Sequence, residues 1–105
     1  SDVLSKKMIL DQTHYGLKIF SSILREYYPG ETVLSIVGKD CKPTKNPFNE
    51  NKCTLSIHVI DCIAKYLDLE NAIPVGDVFD FAARHYNLQG NDLLSRIIDD
   101  MHLRR

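Results

Sequence analysis

The sequence lacks most of the features that would assign a function at once. No apolar run approaches the roughly 20 residues that a membrane-spanning helix needs. The chain does not begin with a basic segment followed by a long apolar one, so a secretion signal is not expected. A glycine-rich phosphate loop, a dinucleotide-binding fingerprint and a His-Glu-x-x-His motif are all absent. The sequence therefore carries no motif of the commonest nucleotide-binding enzymes or of the zinc metalloproteases.

Neither sign of charge is in excess. Thirteen lysines and arginines face fourteen aspartates and glutamates, for a net charge of −1. A general nucleic-acid binder is usually basic, because phosphate contacts need Lys and Arg. The overall balance therefore argues against strong non-specific DNA binding, although a local cluster of cations could still bind phosphates.

Cysteine is scarce, with one residue each at positions 41, 53 and 62. An odd number of cysteines without a secretion signal indicates free thiols in a reducing compartment. We therefore expect a cytoplasmic protein that does not enter a membrane.

Length and composition indicate a single domain over residues 1–105. Residues 1–12 have no firm apolar period and could form a flexible N-terminal segment. Thr13 is a candidate N-cap for a helix whose apolar face is formed by Ile19, Phe20, Ile23, Leu24 and Tyr27. Pro29-Gly30 should end that helix.

Strands are expected in the middle of the chain. Thr32–Val37 is rich in β-branched residues and bounded by glycines, and Thr54–Ile60 alternates apolar and polar residues. A turn near Asp61 should lead into a third strand around Cys62–Leu67. Gly76-Asp77 then opens one helix, and a final helix carries Leu93, Leu94, Ile97, Ile98 and Met101. The predicted class is α+β, with a three-stranded antiparallel sheet packed by an N-terminal helix and two C-terminal helices.

No catalytic constellation is apparent. Cys53 and His58 are five positions apart on a predicted strand, so their side chains should point to opposite faces. Asp99 and Asp100 are adjacent on a predicted helix and do not face each other. We therefore expect a protein that is not an enzyme, with no catalytic residues.

A zinc site is the weaker of two interpretations of the sulfur and imidazole groups. Cys41, Cys53, His58 and Cys62 are 12, 5 and 4 positions apart, which matches no common closed zinc site. The favoured interpretation makes Cys53 and Cys62 small buried apolar residues. No metal or other cofactor is expected.

The loop Gly38–Lys52 is the one local basic cluster. Its four lysines, Lys39, Lys42, Lys45 and Lys52, outnumber Asp40 and Glu50. They could hold phosphates, with Phe48 or Tyr66 as stacking surfaces for bases. Equally, they could be the solvated cations of an ordinary surface loop.

A family resemblance begins in that loop. The stretch NPFNENKCTLSI resembles the first knuckle of the Cys-His-Cys-Cys zinc-binding domain of bacterial and phage DNA primases, which reads Cys-Pro-Phe-His followed three residues later by Lys. Pro47, Phe48 and Lys52 match in place, and the later run Gly76-Asp77-Val78-Phe79-Asp80-Phe81 resembles the family's second half. The resemblance covers residues 32–103 and implies a zinc-ribbon-like sheet.

The departures lie at the metal ligands. Asn46 and Asn49 occupy the first-knuckle positions, and counting back from Gly76 puts Leu69 and Ala72 near the second pair. Amides, Leu and Ala are poor or impossible zinc ligands. The resemblance therefore implies a metal-free form in which hydrogen bonds of the two asparagines hold the turn.

The resemblance implies a non-catalytic, DNA-associated accessory module of a mobile element. Its partner would be single-stranded DNA or a replication or mobilisation protein, and its candidate contact residues are Lys39, Lys42, Lys45, Phe48 and Lys52. The alternative is a protein–protein interaction module without nucleic-acid contact. An exposed apolar patch of more than a few hundred Å² would favour that alternative.

Overall fold

The computed structural model describes residues 5–31 and 43–104. The helices of this part are α1 (Lys6–Gln12), α2 (Leu17–Tyr27), α3 (Val78–Tyr86) and α4 (Gly90–Met101). Its strands are β1 (Thr44–Asn46), β2 (Lys52–Ile60), β3 (Ile63–Asp68) and β4 (Gly76–Asp77), which form one antiparallel sheet in the order β1-β2-β3-β4. The α+β class is confirmed. The described part has four strands and four helices rather than three of each, and the predicted strand Thr32–Val37 lies outside it.

The β2–β3 hairpin is the centre of the sheet and was predicted. Asp61 and Cys62 form its two-residue turn, both with positive φ (54° and 64°), as a tight hairpin turn requires. Ile57 pairs with Tyr66 in the resulting register. Because side chains alternate along a strand, this register puts Leu55, Ile57, Ala64 and Tyr66 on one face, where all four are buried.

Helices α2 and α3 pack on this inner face, and α4 packs on both helices. The ring of Phe81 in α3 lies 5.0 Å from that of Phe20 in α2 and 5.4 Å from that of Tyr66 in β3, measured between centroids. Tilted and edge-on contacts of this kind suit the charge distribution of aromatic rings. The aromatic cluster joins the sheet to both helices.

Helix α3 begins at a reciprocal cap. The carboxylate of Asp77 accepts from the N–H groups of Phe79 (2.9 Å) and Asp80 (3.0 Å), and the carboxylate of Asp80 accepts from the Asp77 N–H (2.9 Å). These contacts satisfy N–H groups that have no partner within the helix. The expectation that Gly76-Asp77 opens a helix is confirmed.

The N-terminal region differs from the sequence pattern at two points. Lys6–Gln12 form helix α1 with Ile9 fully buried, although no apolar period indicated a helix there. Thr13 is not an N-cap: it is buried, and its hydroxyl donates to the carbonyl of Ile9, one turn back (2.7 Å). Helix α2 instead starts after Gly16, where φ is +95° and an added Cβ would lie 2.6 Å from Val78 Cγ1.

Among the helices of residues 5–31 and 43–104, none has the length and apolar content that crossing a bilayer requires.

Candidate functional site

The Asn46–Asn49 turn connects β1 to β2. The carbonyl of Asn46 accepts from the N–H groups of Asn49 and Asn51, both at 3.0 Å, and its side-chain oxygen accepts from the Phe48 N–H at 2.9 Å. Lys52, the first residue of β2, donates to the Asn49 carbonyl at 3.0 Å. The four-residue stretch predicted as a knuckle is thus a closed, hydrogen-bonded turn.

Both asparagine side chains point to the same carboxylate, that of Asp68 at the end of β3. The Asn46 amide donates to Asp68 Oδ1 at 3.0 Å, and the Asn49 amide donates to Oδ1 and Oδ2 at 3.2 and 3.3 Å. The Thr54 hydroxyl also donates to Oδ1. Asp68 and Asn46 are fully buried, and Asn49 is nearly so.

The loop after β3 supplies the remaining donors. Asp68 Oδ2 accepts from the backbone N–H groups of Glu70 (3.0 Å) and Ala72 (2.9 Å). Counting along the sequence put Leu69 and Ala72 near this position. The structure brings the backbones of both to the centre: the Ala72 N–H donates to Asp68, and the Leu69 N–H donates to the Thr54 carbonyl at 2.8 Å, while the side chain of Leu69 is exposed. We call Asn46, Asn49, Thr54 and Asp68 the amide–carboxylate centre.

The centre stabilises a buried negative charge. Burial has the largest single effect on the pKa of Asp68 and raises it, because burial disfavours the ionised form. Four hydrogen bonds lower the pKa and together outweigh burial; their donors are the Thr54 hydroxyl, the Ala72 N–H and the amides of Asn46 and Asn49. They hold the pKa of this carboxyl well below its usual range. Within the described residues, no buried side-chain nitrogen or oxygen lacks a hydrogen-bond partner. The polar groups of the centre thus form hydrogen bonds with one another, which is typical of a site with a structural role.

Sequence reasoning identified the two asparagines and missed Asp68. A signal was nevertheless present, because period two along β3 places residue 68 on the same face as Ala64 and Tyr66. An acidic residue on an otherwise apolar face is rarely buried without partners. That argument would have directed attention to Asp68 as the group facing the turn.

The loop lysines that the structure describes are already paired. Lys45 Nζ lies 3.2 Å from both carboxylate oxygens of Glu31. Lys52 Nζ lies 3.2 Å from Glu70 Oε1 and 3.9 Å from Glu50 Oε2. Glu70 also accepts from the Asn49 amide at 2.9 Å, which places the Lys52 pair beside the amide–carboxylate centre. Lys39 and Lys42 lie outside the described residues.

The two aromatic residues predicted as stacking surfaces pack against other rings. Phe48 is half-buried, with its ring edge-on to Phe81 (5.3 Å) and Tyr27 (5.9 Å) and the Arg84 guanidinium 5.8 Å from its centroid. Its contact with a base stays a prediction. Tyr66 is buried in the core, because the pairing of β3 directs it inward, so the prediction that it offers a stacking surface is wrong.

The zinc alternative does not assemble from the described residues. Cys53 lies near the start of β2 and Cys62 in the turn at its far end, roughly 20 Å away at the usual rise per residue. Both thiols are exposed, so the expectation that they are buried is wrong. His58 Nε2 lies 2.6 Å from Ser56 Oγ on the outer face of the sheet. The part of the chain that the structure describes holds no metal-binding cluster of His, Cys, Asp or Glu, and Cys41 lies outside it.

A chain of hydrogen bonds between α2 and α3 was also missed. His85 Nδ1 lies 2.9 Å from the Tyr27 hydroxyl, and His85 Nε2 contacts the Glu26 carboxylate. The order phenol, imidazole, carboxylate resembles that of a nucleophile with its base and orienting acid. However, burial and the Glu26 charge raise the pKa of Tyr27, which disfavours the phenolate. These hydrogen-bonded residues link the C-terminal ends of α2 and α3.

The outer face of the sheet carries exposed apolar side chains. Ile60, Leu67 and Val75 line a shallow groove of about 490 Å³ whose rim includes His58 and Lys65. Val75 is 65% exposed and Ile60 50%. Leu69, two residues beyond Leu67, is exposed as well. Apolar side chains clustered in this way are typical of protein contact surfaces.

No protein-family model, curated protein or solved structure matches this chain.

Proposed function

We propose that this chain is a non-catalytic, DNA-associated accessory module that resembles a metal-free primase zinc-binding domain. In this proposal it works in the cytoplasm, in the replication or mobilisation of a mobile element. Its partner is single-stranded DNA, alone or together with a replication or mobilisation protein.

The amide–carboxylate centre carries the proposal. Asn46 and Asn49 occupy the two positions where the primase domain has its first ligand pair, and their side chains converge on Asp68 from the far side of the hairpin. A buried polar centre thus lies where the resemblance implies a metal. This convergence supports the resemblance, because two unrelated surface asparagines would not be expected to share one buried carboxylate.

The centre also offers a replacement for the folding free energy that a zinc ion would contribute. A structural zinc ion contributes folding free energy directly, so a domain without it needs another link between the same segments. Here Asp68 accepts hydrogen bonds from the β1–β2 turn, from β2 and from the loop after β3. One carboxylate therefore joins the three segments.

Contact with DNA would require an exchange of partners at the loop. Lys45 and Lys52 would release the carboxylates of Glu31 and Glu70 and take up phosphate oxygens. Such exposed ion pairs contribute little, typically less than about 1 kcal/mol, so the exchange is accessible. Lys39, Lys42 and Phe48 complete the proposed contact set.

The test is binding of a fluorescently labelled, mixed-sequence single-stranded oligonucleotide, followed by anisotropy between about 50 and 200 mM salt. We expect binding that weakens steeply with salt, because each phosphate contact releases counterions. A Lys7→Gln variant is the control, since Lys7 is exposed and lies on α1, away from the loop. Absence of binding at the lowest salt would overturn the proposal.

A second candidate function is favoured by the outer face of the sheet. Its exposed apolar groove fits a protein–protein interaction module without nucleic-acid contact. The partner that can be tested directly is a second copy of the chain. Sedimentation at increasing concentration should then show association that a Leu67→Asp/Val75→Asp variant abolishes, and a sedimentation coefficient independent of concentration would count against this form of the candidate.

A further inference from the structure

Two cations of α2 are better placed to contact phosphates than the loop lysines that the structure describes. Lys18 and Arg25 are exposed and make no hydrogen bond or ion pair within the described residues. They are seven residues apart, or about 10 Å along the helix axis, and lie on one face. By contrast, both described lysines of the loop are paired with glutamates.

Two hydroxyl groups lie between these cations. Ser21 and Ser22 are half-buried and line, with Lys18 and Arg25, a groove of about 510 Å³ between α2 and the C-terminal end of α4. Lys, Arg and Ser side chains are the usual donors to phosphate oxygens in nucleic-acid complexes. The lining thus offers two charged and two neutral donor groups on one helix face.

Helix α2 holds these donors on a rigid support. Its opposite face carries Leu17, Ile19, Phe20, Ile23 and Leu24, all buried in the core. Donors on a packed helix need little reordering to meet a ligand, unlike donors on a loop. The α2 cations could thus bind phosphates without first breaking an internal contact.

The α4 side of the groove restricts where an anionic ligand can lie. Asp100 and Met101 line the groove on this side. Burial, and then the neighbouring Asp100 carboxylate, raise the pKa of Tyr86, which places the Asp100 charge against that hydroxyl. An anionic ligand should therefore lie towards α2 and away from Asp100. None of the six lining residues is aromatic, so the groove can bind a sugar-phosphate backbone but offers no ring on which a base could stack.

We propose that the groove formed by Lys18, Ser21, Ser22 and Arg25 binds the phosphodiester backbone of the DNA, independently of base sequence. This inference rests on the proposed function and assigns it a contact surface outside the Gly38–Lys52 loop. The groove supplies affinity through charge, and any base preference arises elsewhere on the molecule.

The test compares two variants that each remove two positive charges. Lys18→Gln/Arg25→Gln alters the groove, and Lys45→Gln/Lys52→Gln alters the loop. With the labelled oligonucleotide described above, we expect the groove variant to bind about tenfold more weakly and its salt slope to fall by about 1.4, the value for two lost contacts to a single strand. The loop variant should lose less affinity. Circular dichroism should show native folds, because all four side chains lie at the surface.

A third variant acts in the opposite direction. Asp100→Asn removes the negative charge beside the groove and should strengthen binding about two- to threefold. Damage to the fold would not produce such a gain. If the wild type binds but neither the groove variant nor Asp100→Asn changes its affinity, the groove proposal is wrong and the proposed function stands. If the wild type does not bind, both fail.

Discussion

At the scale of single residues, Asp68 shows how a charge can be kept inside a small domain. Removing a carboxylate from water is costly, and no cation contacts Asp68 directly among the described residues. Its compensation comes instead from neutral donors: two amides, one hydroxyl and two backbone N–H groups. Without the carboxylate, the Asn46 amide and the two backbone N–H groups would lose this acceptor.

Replacement of Asp68 by Ala should therefore be strongly destabilising. The change leaves the Asn46 amide and the Glu70 and Ala72 N–H groups without this acceptor, at an expected cost of about 2–4 kcal/mol in the free energy of unfolding. Urea denaturation measures this cost. The control is Glu70→Ala, which removes a half-exposed neighbouring carboxylate and should cost less than about 1 kcal/mol. Similar losses for the two variants would show that Asp68 has no special role.

Stability should also fall in acid because of this residue. The folded-state pKa of Asp68 lies below its ordinary value of 3.8, so the unfolded chain takes up the proton first as the pH falls. The contribution is present above about pH 4 and is lost progressively as the pH falls towards the lower, folded-state pKa. Urea midpoints measured from about pH 6 to about pH 2.5 should show this decline.

In an Asp68→Asn variant, the urea midpoint should fall less as the pH is lowered, since the amide at position 68 does not take up a proton in this pH range. Glu70 contributes in the same direction, because its pKa is lowered by the Asn49 hydrogen bond and by Lys52. Glu70→Gln therefore serves as the comparison and should reduce the fall of the midpoint less. An unchanged pH profile in the Asp68 variant would contradict the assignment.

The residue scale is also where prediction from sequence was least complete. The asparagines could be singled out because the stretch NPFNENKCTLSI resembles a zinc knuckle in which they take the ligand positions. Asp68 is 19 positions from Asn49, and only the strand register brings the two together. The burial of Cys53 was misjudged for a similar reason, because burial of one side chain depends on neighbours that local sequence does not specify.

At the scale of elements, apolar periodicity was a reliable guide. It predicted α2, the β2–β3 hairpin, α3 and α4, each of which buries a continuous stripe or face of its own residues. It missed α1, whose seven residues bury only Ile9. It also missed two short strands, β1 within the predicted loop and β4, since two or three residues are too few to show a period and each is defined as a strand only by pairing with its neighbour.

The cap of α3 gives a prediction at this scale. Asp77→Ala removes the acceptor of the Phe79 and Asp80 N–H groups and should lower the free energy of unfolding by about 1 kcal/mol, within the usual range of about 0.5–2. Thermal or urea denaturation would measure the loss. Asp92→Ala is the matched control, because Asp92 lies in the first turn of α4 but no cap hydrogen bond is made there. Equal effects would mean that the Asp77 cap contributes nothing specific.

At the scale of the whole molecule, the two faces of the sheet differ in what they offer. The inner face is closed by α2 and α3, whereas the outer face presents Ile60, Leu67 and Val75 to solvent. The sequence alone did not show which apolar side chains are exposed. Val59, for example, lies on the same face of β2 as the buried Leu55 and Ile57, yet it is exposed. Exposed apolar surface was therefore a property of the assembled molecule.

Metal removal should leave the whole molecule unaffected. The amide–carboxylate centre provides the link that a zinc ion would supply, and Cys53 and Cys62 are too far apart to share one. We expect the same melting temperature with and without a chelator, and less than one zinc ion per chain in protein purified without chelator. A fall of several degrees in chelator would indicate a metal site and contradict the account of the centre.

The shared acceptor at Asp68 has a consequence for the dynamics of the native state. The amide protons of Glu70 and Ala72 both bond to Oδ2, and that of Phe48 bonds to Asn46, whose own amide is fixed by Oδ1. The Glu70 and Ala72 protons share one acceptor oxygen, and the acceptor of the Phe48 proton is held by the same carboxylate. We therefore expect positions 48, 70 and 72 to show similar protection against exchange with deuterium, although position 48 lies in the β1–β2 turn and positions 70 and 72 lie in the loop after β3.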